Sequence, residues 1–205
     1  MDRVLQNSPI TRVSLLIRLR DAADHSAWQQ FAELYGPVIY RFARGRGLQD
    51  ADAADVMQDT LRSVSNAIGR LDYDSAKGSF RGWLFTIARN KIFNLLSSRK
   101  NKPRAAGDTA AHELLQATPS DDNSLEESWE DEYRRRLAGI AIERIKGEFQ
   151  PNTWEAFWGT AVNGESATDV GERLGMSSGA VYVAKSRVLA RLKEQVQRLI
   201  DEEDQ

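Results

Sequence analysis

Between Asp74 and Asp108 the chain holds no acidic residue, and the same stretch carries Lys77, Arg81, Arg89, Lys91, Arg99, Lys100, Lys102 and Arg104. In a protein of 205 residues with net charge -2, this creates a local positive field suited to a polyanion. Trp83, Leu84, Ile87, Ala88, Ile92 and Leu95 recur there at spacings of three and four, the apolar stripe of an amphipathic helix over about 79–99. Phe80, Trp83, Phe85 and Phe93 interleave with the cations. Such a mixture suits single-stranded nucleic acid, because bases stack on rings while ammonium and guanidinium groups hold phosphates. A core helix with a solvated basic face has the same pattern, so both readings stand at this point.

Composition excludes several classes. There is no cysteine, so neither a disulfide framework nor a thiolate metal site is available. The only histidines, His25 and His112, are far apart in sequence, which argues against a zinc site or a Ser–His triad. No metal and no cofactor is expected. The N-terminal segment has charges on both sides of a very short apolar run and does not read as a signal peptide. No run approaches the roughly 20 apolar residues of a membrane span, so the expected location is the cytoplasm.

The helical period continues on both sides. Val13, Leu16 and Ile17 mark a short helix behind Thr11, and Asp24 or Ser26 caps a longer one bearing Trp28, Phe31, Tyr35, Ile39 and Phe42. Gly36-Pro37 predicts a kink or restart inside it. Asp50 or Asp52 then caps a helix to about Leu71, with Val56, Leu61, Val64 and Ile68 on its buried side. Asp52, Asp55 and Asp59 share a face of that helix, with Gln58 nearby. Three readings are open for this face: a solvated turn matched to the helix dipole, a docking surface for a basic partner, or a divalent metal cluster.

From Asp108 to Tyr133 there are nine acidic residues and no Lys or Arg, and the segment includes Thr118-Pro119-Ser120-Asp121-Asp122. It reads as a flexible acidic linker. Beyond it, Tyr133, Leu137, Ile140, Ala141 and Ile145 form one helix, and Pro151 starts another whose apolar face is Trp154, Phe157, Trp158 and Ala161. The run from Glu165 to Ile200 predicts a short helix from about Ser166 to Leu174, a turn at Gly175, and a long helix from Ser177 or Ser178. That is helix-turn-helix patterning. Tyr182, Val183, Ser186 and Arg187 would project from the second helix, and Lys185, Arg191 and Lys193 would meet phosphates. A plain helical hairpin is the competing description.

Three strings, DADAADVMQDTL, DSAKGSFRGWLFTIARNKIFNLL and GERLGMSSGAVYVAKSRVLARLKE, in this order, resemble a sigma factor of the sigma-70 family, extracytoplasmic-function (ECF) group. The resemblance runs from about Trp28 to Leu199 apart from the linker. It implies an all-α protein of two small helical domains, sigma region 2 and a region 4 helix-turn-helix. The corresponding boundaries are an N-terminal extension over 1–25, region 2 over 26–104, the linker over 105–128, and region 4 over 129–201. It implies core RNA polymerase as partner through Asp52, Asp55, Val56, Gln58 and Asp59, docked on the coiled coil of the β′ subunit, with region 4 also meeting the β flap. Promoter DNA is the second partner. Its −10 element would be read and melted by Lys77, Phe80, Arg81, Trp83, Arg89, Asn90 and Lys91. Of the aromatics, Phe80 is expected to face DNA and Trp83 the core. The loop from Asp72 to Ser79 would pocket a flipped base. The −35 element would be read by Ser178, Tyr182, Val183, Lys185, Ser186, Arg187 and Arg191. Many members also answer to an anti-sigma partner. The recognition helix departs from many members in reading Val181-Tyr182-Val183-Ala184-Lys185 where they are more basic and Ser-rich. The implied function is promoter recognition and DNA opening for the polymerase, with no catalysis by the chain itself. The alternative is a helix-turn-helix regulator that binds duplex DNA without polymerase.

Overall fold

The structure, a computed structural model, describes residues 13–70, 79–100 and 122–201. Among these residues every regular element is helical. They form two compact units, with the division between Arg136 and Leu137.

The first unit begins with α1 (Val13–Arg18) and α2 (His25–Gly45). Asp24 caps α2 by accepting from the Ala27 amide at 2.9 Å, and it also takes two bonds from the Arg18 guanidinium at 2.7 and 2.8 Å. Those bonds, Arg18 first, hold the Asp24 carboxyl below its ordinary pKa. Of the kink or restart expected at Gly36-Pro37, the restart does not occur: α2 runs through Pro37 as one helix. A proline at 37 removes the amide that would bond the Glu33 carbonyl. That carbonyl accepts instead from Arg136 Nε at 3.1 Å, so the vacancy in the helical ladder becomes an anchor point for another element. Burial, and then the neighbouring Arg41, lower the pKa of Arg136.

Helix α3 (Asp50–Ala67) follows, and a 3₁₀ turn at Ile68–Arg70 continues it. Its N-cap is Gln49, without a side-chain bond, rather than Asp50 or Asp52. Asp50 lies in the first turn, where it suits the dipole and pairs with Arg44 at 3.0 Å and Tyr40 at 3.2 Å. Helix α4 (Phe80–Lys100) packs on α3, which packs on α2. Ser79 Oγ caps α4 through the Gly82 amide at 3.0 Å.

The fourth wall of this unit comes from the acidic segment. Residues 105–121 of the expected linker lie outside the described residues, but Asp122–Ile145 is a helix, α5. Leu125, Trp129 and Tyr133 recur every fourth residue along it and are buried. Trp129 meets Phe42 and Phe85 with ring centroids 5.5 and 5.9 Å away, and Tyr133 stacks on Tyr35 at 5.8 Å. Trp129 and Tyr133 therefore belong to the first core, and the domain boundary expected at 129 falls instead after Arg136. The physical reason is periodicity beneath composition: Glu126, Glu127 and Asp131 point outward while the apolar residues line one side.

The second unit takes the rest of α5, a 3₁₀ turn at Lys146–Glu148, α6 (Pro151–Phe157), α7 (Ala167–Leu174) and α8 (Ser178–Asp201). Pro151 occupies the first turn of α6, where a missing amide costs nothing. A π-helical turn, Trp158–Val162, extends α6 and rotates the residues after Phe157 out of the expected stripe. Phe157 is buried, while Trp158 and Ala161 are exposed. Ser166 caps α7 through the Asp169 amide, and Gly175 terminates it at φ 65°, the left-handed conformation that glycine adopts at little cost. Val170 and Val181 close the α7–α8 angle together with Ala156, Ala167 and Ala184.

Gly171 is the tightest point of that angle. A Cβ built there would lie 2.6 Å from the Met176 carbonyl oxygen, which is backbone and cannot rotate away. Gly171→Ala is expected to destabilise the second unit by about 1–3 kcal/mol, the usual range for overpacking. Denaturant unfolding followed by hydrogen exchange in α7 and α8 checks this, and unchanged protection there would refute the assigned close approach.

Candidate polymerase and nucleic-acid interfaces

The acidic face of α3 survives folding as a surface. Asp55, Gln58 and Asp59 are exposed and Asp52 is half-buried. Asp59 pairs with Arg62 at 2.7 Å, an exposed i,i+3 contact of small energetic weight. Val56 does not belong to that surface. It is 4% exposed and lies on the core side of α3, one residue from Asp55 and therefore turned by about 100°. Among the described residues no group of three His, Asp or Glu side chains is placed to hold a metal ion.

Helix α4 presents the basic aromatic surface in a rotated form. Phe80 is 3% exposed and packs against Phe31, Tyr35 and Trp83 at 5.9, 5.9 and 5.4 Å. The expectation that Phe80 faces DNA is therefore corrected: Phe80 is core and Trp83 is the half-exposed ring beside it. Phe85 is likewise buried, against Phe42 and Trp129. The buried line of the helix is Phe80, Leu84, Ala88, Ile92 and Leu96, every fourth residue, with Phe85 beside it. Arg81 lies over the Tyr133 ring at 4.7 Å and pairs with Glu130 at 3.5 Å, so α5 covers a cation expected to meet DNA. Arg89 lies over Phe93 at 5.5 Å. Asn90 is exposed and Lys91 half-buried. Lys77 and the loop through Gly78 lie outside the described residues.

In the second unit the projecting face of α8 is as expected. Tyr182, Val183, Ser186 and Arg187 are exposed, with Ser178 and Lys185 half-buried. Arg191 is different: its Nε and Nη2 donate to both oxygens of Glu148 at 2.7 and 2.8 Å. This bond raises its pKa and ties α8 to the turn after α5. A second feature was not visible in the sequence. Trp154 and Trp158 stack at 6.0 Å along a cleft of about 430 Å³ that Lys146, Glu155, Asn163 and Arg173 also line. Trp158 lies one helical turn after Trp154, at the start of the π turn, so the two rings share a face.

These features define a helical protein with an exposed acidic face on α3, a basic aromatic helix and a helix-turn-helix. Residues 31–102 match the Sigma-70 region 2 family, and over most of its length the chain is similar to ECF RNA polymerase sigma factors. The RNA polymerase sigma factor CnrH of Cupriavidus metallidurans is 27% identical over 173 residues, covering 83% of this chain and 87% of that one. The ECF RNA polymerase sigma factor RpoE of Cereibacter sphaeroides is 25% identical over 177 residues, covering 86% and 92%. A solved structure of CnrH in complex with the cytosolic domain of CnrY aligns at 21% identity and a TM-score of 0.34, over 90% of this chain and 96% of that one.

Proposed function

We infer that the protein is an ECF sigma factor, which binds core RNA polymerase and directs promoter recognition and opening without catalysis of its own. The observation that carries this reading is the region 2 match over 31–102, the segment that contains most of α2 and all of α3 and the basic aromatic helix α4. In this reading the face of Asp52, Asp55, Gln58 and Asp59 docks on the β′ coiled coil. The outward side of α4, with Trp83, Asn90 and Lys91, meets the −10 element. Helix α8 enters the −35 major groove, and the second unit meets the β flap. An anti-sigma partner would act by covering one of these faces. A polymerase subunit of this kind works in the cytoplasm, and no described helix is long and apolar enough to cross a membrane.

Strand opening supplies the test. Stacking a base on an aromatic contributes roughly 1–3 kcal/mol, which helps offset unstacking. Trp83→Ala is therefore expected to reduce initiation by about tenfold on a duplex promoter, and by much less on a promoter with a pre-opened bubble. Equal losses on the two templates would remove α4 from the opening step.

Groove reading is tested by two substitutions on α8. Arg187→Ala should relax base preference at one or two −35 positions in a randomised-promoter selection, since arginine is suited to bidentate contact with guanine. Lys193→Ala, further along the helix, should weaken all promoters alike and flatten the salt dependence by about one phosphate contact. An unchanged selected sequence for Arg187→Ala would mean that another part of the face reads the bases.

A further inference from the structure

The face of α8 opposite its core carries an unusual combination. At 100° per residue, Val181, Ala184 and Val188 fall on one side and are buried. Gly179, Ser186 and Ala190 fall on the other side, all small and exposed. Tyr182 and Val183 flank that small-residue line at 60% and 58% exposure, the two most exposed large apolar residues of the helix. Both lie within the first two turns after the Ser177 cap, the part of a recognition helix that reaches base edges. Space around them is open: a Cβ on Gly179 would meet only Ser177 Oγ at 3.9 Å. From Ser178 to Lys193 the helix has no acidic residue, and exposed Arg187 and Lys193 flank the apolar pair.

This distribution matches one occupant. A protein partner would call for a broad apolar patch, whereas here a small, partly polar ridge separates Tyr182 from Val183 under a positive rim, and Leu189, 42% exposed, lies two turns beyond Tyr182. A DNA major groove offers phosphates to the rim, room for the ridge to approach, and one apolar group on its floor, the methyl of thymine. Resting on the reading of α8 as the −35 helix, we propose that Tyr182 and Val183 select thymine at −35 positions through its 5-methyl group. Specificity would then come from apolar contact as well as from hydrogen bonds by Arg187.

The experiment uses holoenzyme reconstituted from the full chain and core polymerase. A −35 sequence is first selected from a randomised promoter. Each thymine in it, on either strand, is then replaced by deoxyuridine, which removes the methyl group and leaves every hydrogen-bonding group in place. One or two positions are expected to lose about threefold to fivefold in affinity, the effect of withdrawing one buried methyl. In Val183→Ala or Tyr182→Ala holoenzyme, the ratio between thymine and uracil at one of those positions should fall to about one. Both residues are exposed, so the variants should fold. A clear −35 preference that tolerates uracil everywhere, or that contains no thymine, would overturn methyl reading while leaving the −35 assignment intact. Absence of any −35 preference would overturn the −35 assignment and methyl reading together. Weaker polymerase binding by Val183→Ala with an unchanged uracil response would assign the pair to a protein contact instead.

Discussion

Asp55→Lys combined with Asp59→Lys is expected to abolish co-purification with core RNA polymerase while leaving the helix content of the chain intact. Both carboxylates are exposed on α3, so neither substitution disturbs packing. Losing the Asp59–Arg62 pair removes only an exposed i,i+3 contact, worth a few tenths of a kcal/mol. At a basic docking partner the same two changes set like charges face to face, which costs several kcal/mol. The imbalance between those magnitudes makes the test selective: binding should be lost and folding kept. Circular dichroism together with pull-down of core polymerase reads both quantities. Normal polymerase binding by the folded double variant would show that this acidic face is a solvated turn.

Trp129→Ala is expected to lower the stability of the first unit by about 3–5 kcal/mol, the range for truncating a large buried aromatic. The indole is 1% exposed and meets Phe42 and Phe85 edge-on or tilted. Its Nε1–H has no acceptor among the described residues. Trp129→Phe should therefore be tolerated much better, since it keeps most of the packing and removes a polar group that folding leaves unpaired. Hydrogen exchange shows which unit responds. Protection should fall in α2 and α4, and α7 and α8 should be unaffected. The opposite pattern would return Trp129 to the second unit, where sequence composition had placed it.

That misplacement marks where sequence reading stops. Asp24, Pro151, Ser166 and Gly175 act locally, through capping bonds or backbone conformation, and their helices begin and end close to where the sequence puts them. The exposed face of α8 was equally legible, because its core side is narrow and follows the helical period. On α4 the apolar residues Phe80, Trp83, Leu84, Phe85 and Ile87 cover more than half the circumference of one turn. Period alone cannot then choose which ring is covered. The choice of Phe80 over Trp83 follows from α2, whose Phe31 and Tyr35 receive it. Arg81 likewise looks available to DNA in the sequence, because its partners, Glu130 and Tyr133, lie about 50 residues away in a segment whose acidity suggests a linker. Pro37 does not end α2, and there too the partner is distant: the Arg136 guanidinium satisfies the carbonyl it leaves open.

As a sigma factor, this chain would give core polymerase its promoter specificity. Run-off transcription with purified core polymerase, with and without the full chain, tests it most directly when start sites are mapped across a genomic template. Discrete starts are expected only when the chain is present, each preceded by paired −35 and −10 elements, with little promoter binding by the chain alone. Tight, specific binding of duplex DNA by the isolated chain, with no new start sites from the polymerase, would contradict it.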